Sequence, residues 1–109
     1  MTLREFKDVL LTVGVPVDRY ASDGRTGTHI LWGEYDEKGY YAGNVRVAQV
    51  QLVQVDLYTG KEVDPALGRL ETALSSAGVA YSGPSTTYDV DTKRIRHVFS
   101  CEVLTHGQA

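Results

Sequence analysis

The stretch NVRVAQVQLVQVDLY, Asn44 to Tyr58, decides the fold. It is rich in Val, Leu and Gln, has neither Pro nor Gly, and alternates apolar with polar for most of its length. That is the pattern of a β-strand. Its length is unusual. At ~3.3 Å per residue it spans about 45 Å, whereas a compact domain of this size has a radius of gyration of about 13 Å and is roughly 34 Å across. The strand must bend, or part of it must leave the globule.

With unbroken alternation, Ala48, Val50 and Leu52 share one face and Val53, Val55 and Leu57 the other. A bulge near Leu52–Val53 gathers all six on one buried face, opposite Gln49, Gln51, Gln54 and Asp56, and is the expectation here. Val45 and Val47 then fall on the Gln side, away from the core, near the end that overhangs. Two explanations stay open for them. They are scattered surface residues or the product of a second bulge, or they pack against another protein chain.

Upstream, His29–Tyr35 (HILWGEY) reads as a strand with Ile30 and Trp32 on one face and Leu31 and Tyr35 on the other. Asp36-Glu37-Lys38-Gly39 has the composition of a turn. Tyr40 and Tyr41 then lead through Gly43 into the long strand, giving an antiparallel pair or long hairpin. Glu34, Asp36 and Glu37 form an acidic cluster, but without the spaced oxygen ligands of an EF-hand loop.

Downstream, Thr59-Gly60 ends the strand and Asp64-Pro65 opens a helix, with Asp as N-cap and Pro at the first helical position. Leu67, Leu70 and Leu74 with Ala66, Ala73 and Ala77 form its buried stripe, and Gly78 stops it. Gly68 weakens this helix, through close packing there or simple tolerance. Val79–Ser82 is a short strand broken by Gly83-Pro84 and resumed over Thr86–Val90. After a turn at Asp91-Thr92-Lys93, Ile95–Leu104 forms the last strand. Ile95, His97, Phe99, Cys101 and Val103 face inward, and Arg96, Ser100 and Glu102 outward. The tail from Thr105 should fray.

The chain begins with a helix over residues 2–13. Thr2 and Glu5 make a capping box, Leu3, Phe6, Val9, Leu10 and Val13 line one face, and Gly14 and Pro16 end it. Asp18–Thr28 (DRYASDGRTGT) is a polar loop. Its Gly24-Arg25-Thr26-Gly27 lacks the Lys-Ser/Thr ending and following helix of a phosphate-binding loop. The fold class is therefore α+β: an antiparallel sheet of four to five strands, two helices packed on one face, and one long β-hairpin.

Bulk properties narrow the function. The 109 residues suit one domain with its own core, and 42% hydrophobic content suits a folded, soluble protein. No run is long enough to span a membrane, and the charged, amphipathic MTLREFKD is not a secretory signal. A lone Cys101 cannot form an internal disulfide and suits a reducing cytoplasm. A net charge of −3 argues against a dedicated nucleic-acid binder.

Chemistry is not signalled. His29, His97 and His106 have no local nucleophile signature, and Cys101 and His106 are the nearest His/Cys pair for a metal, with His106 in the tail. Carboxylates sit at turns and helix starts. Lys93, Arg94 and Arg96 are the one basic cluster, read as a solvated strand edge or a contact for phosphate or an acidic surface. No catalytic residue, cofactor or metal is assigned.

The stretches TLREFKDVLLTVGVPV, ILWGEY, VQVDLYTGKEVDP with its helix, and DTKRIRHVFSCEV, in this order, resemble the small tail-terminator or tail-completion proteins of long-tailed bacteriophages and prophages. Related head–tail joining proteins share similar small folds. The resemblance covers most of the chain and rests on fold-forming residues. It implies a structural virion protein, assembled in the bacterial cytoplasm, whose copies form a ring, commonly a hexamer. The ring caps the tail tube and joins it to a head-completion or connector protein, while DNA passes through the lumen without sequence-specific binding. No functional residue of the family is carried over.

An overlong strand with outward valines suits an intersubunit arm, and a mildly acidic protein suits a channel through which DNA slides. The surface expected to meet a neighbouring copy comprises Val45, Arg46, Val47, Asp36, Glu37, Lys93, Arg94 and Arg96, with the acidic pair meeting the basic segment across the boundary. The alternative, from another class, is a stand-alone bacterial α+β module that binds a protein or ligand.

Overall fold

The structure, a computed structural model, describes residues 1–21 and 24–107. The chain runs α1 (Leu3–Leu11), β1 (Val17–Arg19), β2 (His29–Ala42), β3 (Val45–Thr59), α2 (Pro65–Ser76), β4 (Ala80–Asp89) and β5 (Arg94–Gly107). The five strands make one open sheet in the order β1-β2-β3-β5-β4, an α+β fold with the long strand at its centre.

Both helices start where local chemistry puts their ends. Thr2 accepts from the Glu5 amide and Glu5 accepts from the Thr2 amide, a complete capping box. Asp64 accepts from the Ala66 amide with Pro65 at the first position, and Gly78 leaves α2 at φ +73. Phe6 and Leu10 of α1 and Ala66, Leu70 and Leu74 of α2 join one core with Ile30, Trp32, Val53, Val55, Leu57, Phe99, Cys101 and Val103. Cross-strand partners keep these side chains on one face: Trp32 opposes Val55, which opposes Phe99. Both helices therefore cover the same side of the sheet. Phe6 meets Trp32 edge-on at 5.6 Å between ring centroids.

Several expectations are corrected. Asp36-Glu37-Lys38-Gly39 is not a turn but the middle of β2, paired with Leu52, Gln51, Val50 and Gln49. The turn is Gly43-Asn44, with Gly43 at φ +66, as a two-residue hairpin loop with glycine first requires. The register of β3 is also unbroken at Leu52–Val53, so Ala48, Val50 and Leu52 lie on the face opposite Val53, Val55 and Leu57. The irregularities fall elsewhere. Tyr35 on β2, Val47 on β3 and Thr105 on β5 are the unpaired residues at the register shifts.

The sheet is mixed rather than antiparallel. Val17–Arg19, partly inside the expected loop, pairs parallel with Ile30–Trp32. β4 does not break at Gly83-Pro84 but passes through it with a register shift between Ser82 and Ser85. The C-terminal segment does not fray at Thr105: β5 continues to Gly107, opposite Ala48. Residues 108 and 109 of the expected tail lie outside the described residues, as do Ser22 and Asp23 of the expected loop.

Candidate functional site

The core ends long before the hairpin does. Residues Tyr35–Ala42 of β2 and Val45–Val47 of β3 are all exposed, whereas β3 is buried or half-buried from Ala48 onward. β1 reaches only to Trp32, and β5 reaches only to Ala48. The projecting arm is three-stranded at its base, where Asp36–Tyr40 pair with Leu52–Ala48 and β5 flanks β3, and two-stranded only at its tip, Tyr41–Ala42 against Val45–Val47. The molecule measures 50 × 25 × 22 Å, with a radius of gyration of 15.0 Å, longer than a compact fold of this mass. The overlong strand is accommodated by projection.

The arm is held by its own polar pairing on one face and left apolar at its end. Glu37 Oε2 accepts from Gln49 Nε2 at 2.7 Å and from Gln51 Nε2 at 3.0 Å, tying β2 to β3. Arg46 donates to Gln49 Oε1 at 3.0 Å and to the Tyr41 hydroxyl at 3.2 Å. Its guanidinium also lies 5.7 Å from the Tyr41 ring centroid. Around these sit Tyr40, Tyr41, Val45 and Val47, with Val45 66% exposed.

The eight residues expected to form an interface separate into two groups. Asp36 and Glu37 lie at the base of the arm, opposite Leu52 and Gln51, and Val45, Arg46 and Val47 lie at its tip. Lys93, Arg94 and Arg96 lie at the other end of the sheet, where Arg94 opposes Asp89 and Arg96 opposes Tyr58. Arg96 has an in-chain partner: its Nε and Nη2 donate to Asp56 Oδ2 at 3.1 and 2.8 Å, while Gln54 Nε2 donates to both Asp56 oxygens. Asp56 is buried. Sequence reasoning places it among outward polar residues and so misses this pair; Asp and Arg on adjacent strands were the available signal.

The other candidate groups are engaged in holding the fold. Glu34 accepts from Arg19 and from the Tyr20 hydroxyl, so the acidic cluster is split between the body and the arm. Arg25 of the glycine-rich loop donates to Asp18. Buried His97 pairs with the Thr86 hydroxyl at 2.8 Å, and burial lowers its pKa. Burial pushes the Cys101 thiol up to about 12, leaving it protonated at neutral pH. His29 stacks on Tyr58 at 5.0 Å, its Nδ1 2.8 Å from the Gly27 carbonyl oxygen. The side chain of His106 lies outside the described residues.

Among the described residues, no group of three or more His, Cys, Asp or Glu side chains is placed to hold a metal ion. No helix among them is long and apolar enough to cross a membrane. The geometry favours one surface, the arm, which presents exposed apolar side chains at its two-stranded tip. Comparison of the chain with protein-family models and with curated proteins finds no match.

Proposed function

We propose that this protein is a structural subunit whose copies close into a ring, and that the ring caps a bacteriophage tail tube and joins it to the head. The observation that carries the reading is the projecting β2–β3 arm with Tyr40, Tyr41, Val45 and Val47 exposed at its end. A monomer leaves those side chains in water. Burying Val45 and Val47 against a neighbour contributes at most about 1.5–3 kcal/mol each, before the costs of association. In a closed ring the same contact recurs at every boundary. The phage context rests on the sequence resemblance, and the net charge of −3 suits a lumen that passes DNA without holding it.

The test is Val45→Asp combined with Val47→Asp. Both residues lie outside the core, so the variant should fold and unfold normally by circular dichroism. Size-exclusion chromatography with light scattering should show loss of rings, and purified tails should remain uncompleted. An unchanged oligomer would put the interface elsewhere. A wild-type protein that stays monomeric when mixed with tail tubes would sink the ring reading and favour a stand-alone binding module.

A further inference from the structure

Large exposed apolar side chains gather at both ends of the long axis. Tyr40, Tyr41, Val45 and Val47 sit at the arm; Val63, Tyr88 and Val90 sit at the far end, where Thr59 opposes Ile95 and Tyr88 opposes Ile95. Val63, at 88%, is more exposed than any of the others. The far end also carries a cleft of about 490 Å³ whose lining includes Gly60, Glu62, Thr86, Tyr88, Lys93 and Ile95. Hydroxyls, an aromatic ring and aliphatic carbon make up most of that wall.

Each end carries one charge that would pair with the other's, Arg46 at the arm and Glu62 in the cleft, where Glu62 shares the wall with Lys93. Arg46 is the cation at the arm's end, and two of its five donors are used within the chain, by Gln49 and Tyr41. It forms no ion pair among the described residues, although the Glu37 carboxylate is near enough to favour its charge. Glu62, in the cleft wall, likewise forms none among them.

Resting on the ring reading above, we infer that the arm of one copy seats in the far-end cleft of the next, with Arg46 meeting Glu62 of that neighbour. An arm-to-arm contact between copies would be isologous, closing a pair rather than a ring, and would leave the cleft unfilled. An arm-to-cleft contact joins two different surfaces, the heterologous kind from which rings are built. It also gives Val63 and Tyr88 an apolar partner. The basic segment takes part through Lys93 in the cleft, while Arg96 stays with Asp56 inside its own chain.

Charge reversal and cleft filling test this together. Arg46→Glu and Glu62→Arg should each weaken assembly about tenfold by concentration-dependent light scattering, and the double variant should restore it. Thr87→Trp, at an exposed position in the cleft wall, should leave the protein folded but monomeric. If wild type forms rings while Thr87→Trp assembles normally and the double reversal rescues nothing, the cleft is not the arm's receptor and the ring reading survives. If wild type is monomeric at every concentration, and with tail tubes, both fail. Assembly only on addition of a tail-tube protein, with wild-type copies never contacting one another by cross-linking, would give the arm a different occupant and overturn the inference.

Discussion

Asp64 is the most informative single position for stability. Its Oδ1 accepts from the Ala66 amide at 2.9 Å, while Oδ2 accepts from the Thr59 hydroxyl at 2.7 Å and the Thr28 hydroxyl at 2.9 Å. One carboxylate thus caps α2 and fastens it to the end of β3 and the start of β2. Removing an N-cap costs about 1 kcal/mol. Stranding a buried hydroxyl costs about 1–3 kcal/mol, and Thr59 is 1% exposed. Asp64→Ala should therefore lose about 2–4 kcal/mol, which at about 4–8 °C per kcal/mol is a drop in Tm of roughly 8–32 °C. Urea unfolding followed by circular dichroism and Trp32 fluorescence measures it.

Asp64→Asn keeps a capping oxygen and should lose less than the alanine variant. The same carboxyl is held below its ordinary pKa, first by the Ala66 amide, then by the Thr59 hydroxyl, with burial opposing and Thr28 assisting. A folded pKa below the unfolded one means the contribution is complete above the unfolded value near ~3.9 and disappears as pH falls through the folded value. Wild type should therefore lose more stability on acidification through that window than Asp64→Asn does. An Asp64→Ala protein within about 0.5 kcal/mol of wild type would show that these hydrogen bonds do not hold the junction.

Two further outcomes follow from burial and open space. Cys101, 1% exposed and with its thiol pushed up to about 12, should resist maleimides in the native protein and label stoichiometrically once unfolded; rapid native labelling would place the strand's buried face on the other side. Gly68 lies inside α2 with nothing within 4 Å of where a Cβ would stand, so Gly68→Ala should raise stability by up to about 1 kcal/mol in urea unfolding; a loss would mean that unseen neighbours crowd the position.

The parts legible in the sequence are those in which local chemistry and burial agree. Thr2 with Glu5, Asp64 with Pro65, and Gly14 and Gly78 mark the helix ends without help from the rest of the chain. The inward set of β5 is equally plain because its alternation runs through the core. The arm hides itself: with water on both sides, Asp36, Glu37, Lys38 and Gly39 need not alternate, and a polar strand there has a turn's composition. Ala48, Val50 and Leu52 mislead in the opposite sense, being apolar, half-buried and on the sheet face without helices. β1, three residues long and parallel to its partner, is too short to leave a period. The exposure of Val45 and Val47 was readable because strand length is simple geometry; what they touch is not.

The strand order has a mechanical consequence. β3 is flanked by β2 and β5 from Ala48 to Tyr58, so it is gripped on both sides along most of its length. A pull on the arm directed along β3 runs parallel to the strands and perpendicular to their hydrogen bonds. Such a load falls on the whole ladder at once, in shear, and cannot peel it open bond by bond. The same force applied across the arm meets only the two strands beyond Ala48. Anything that tugs the arm lengthwise draws β2 and β3 together and is resisted in shear by the ladder between β3 and β5, while a sideways push bends the arm at its tip.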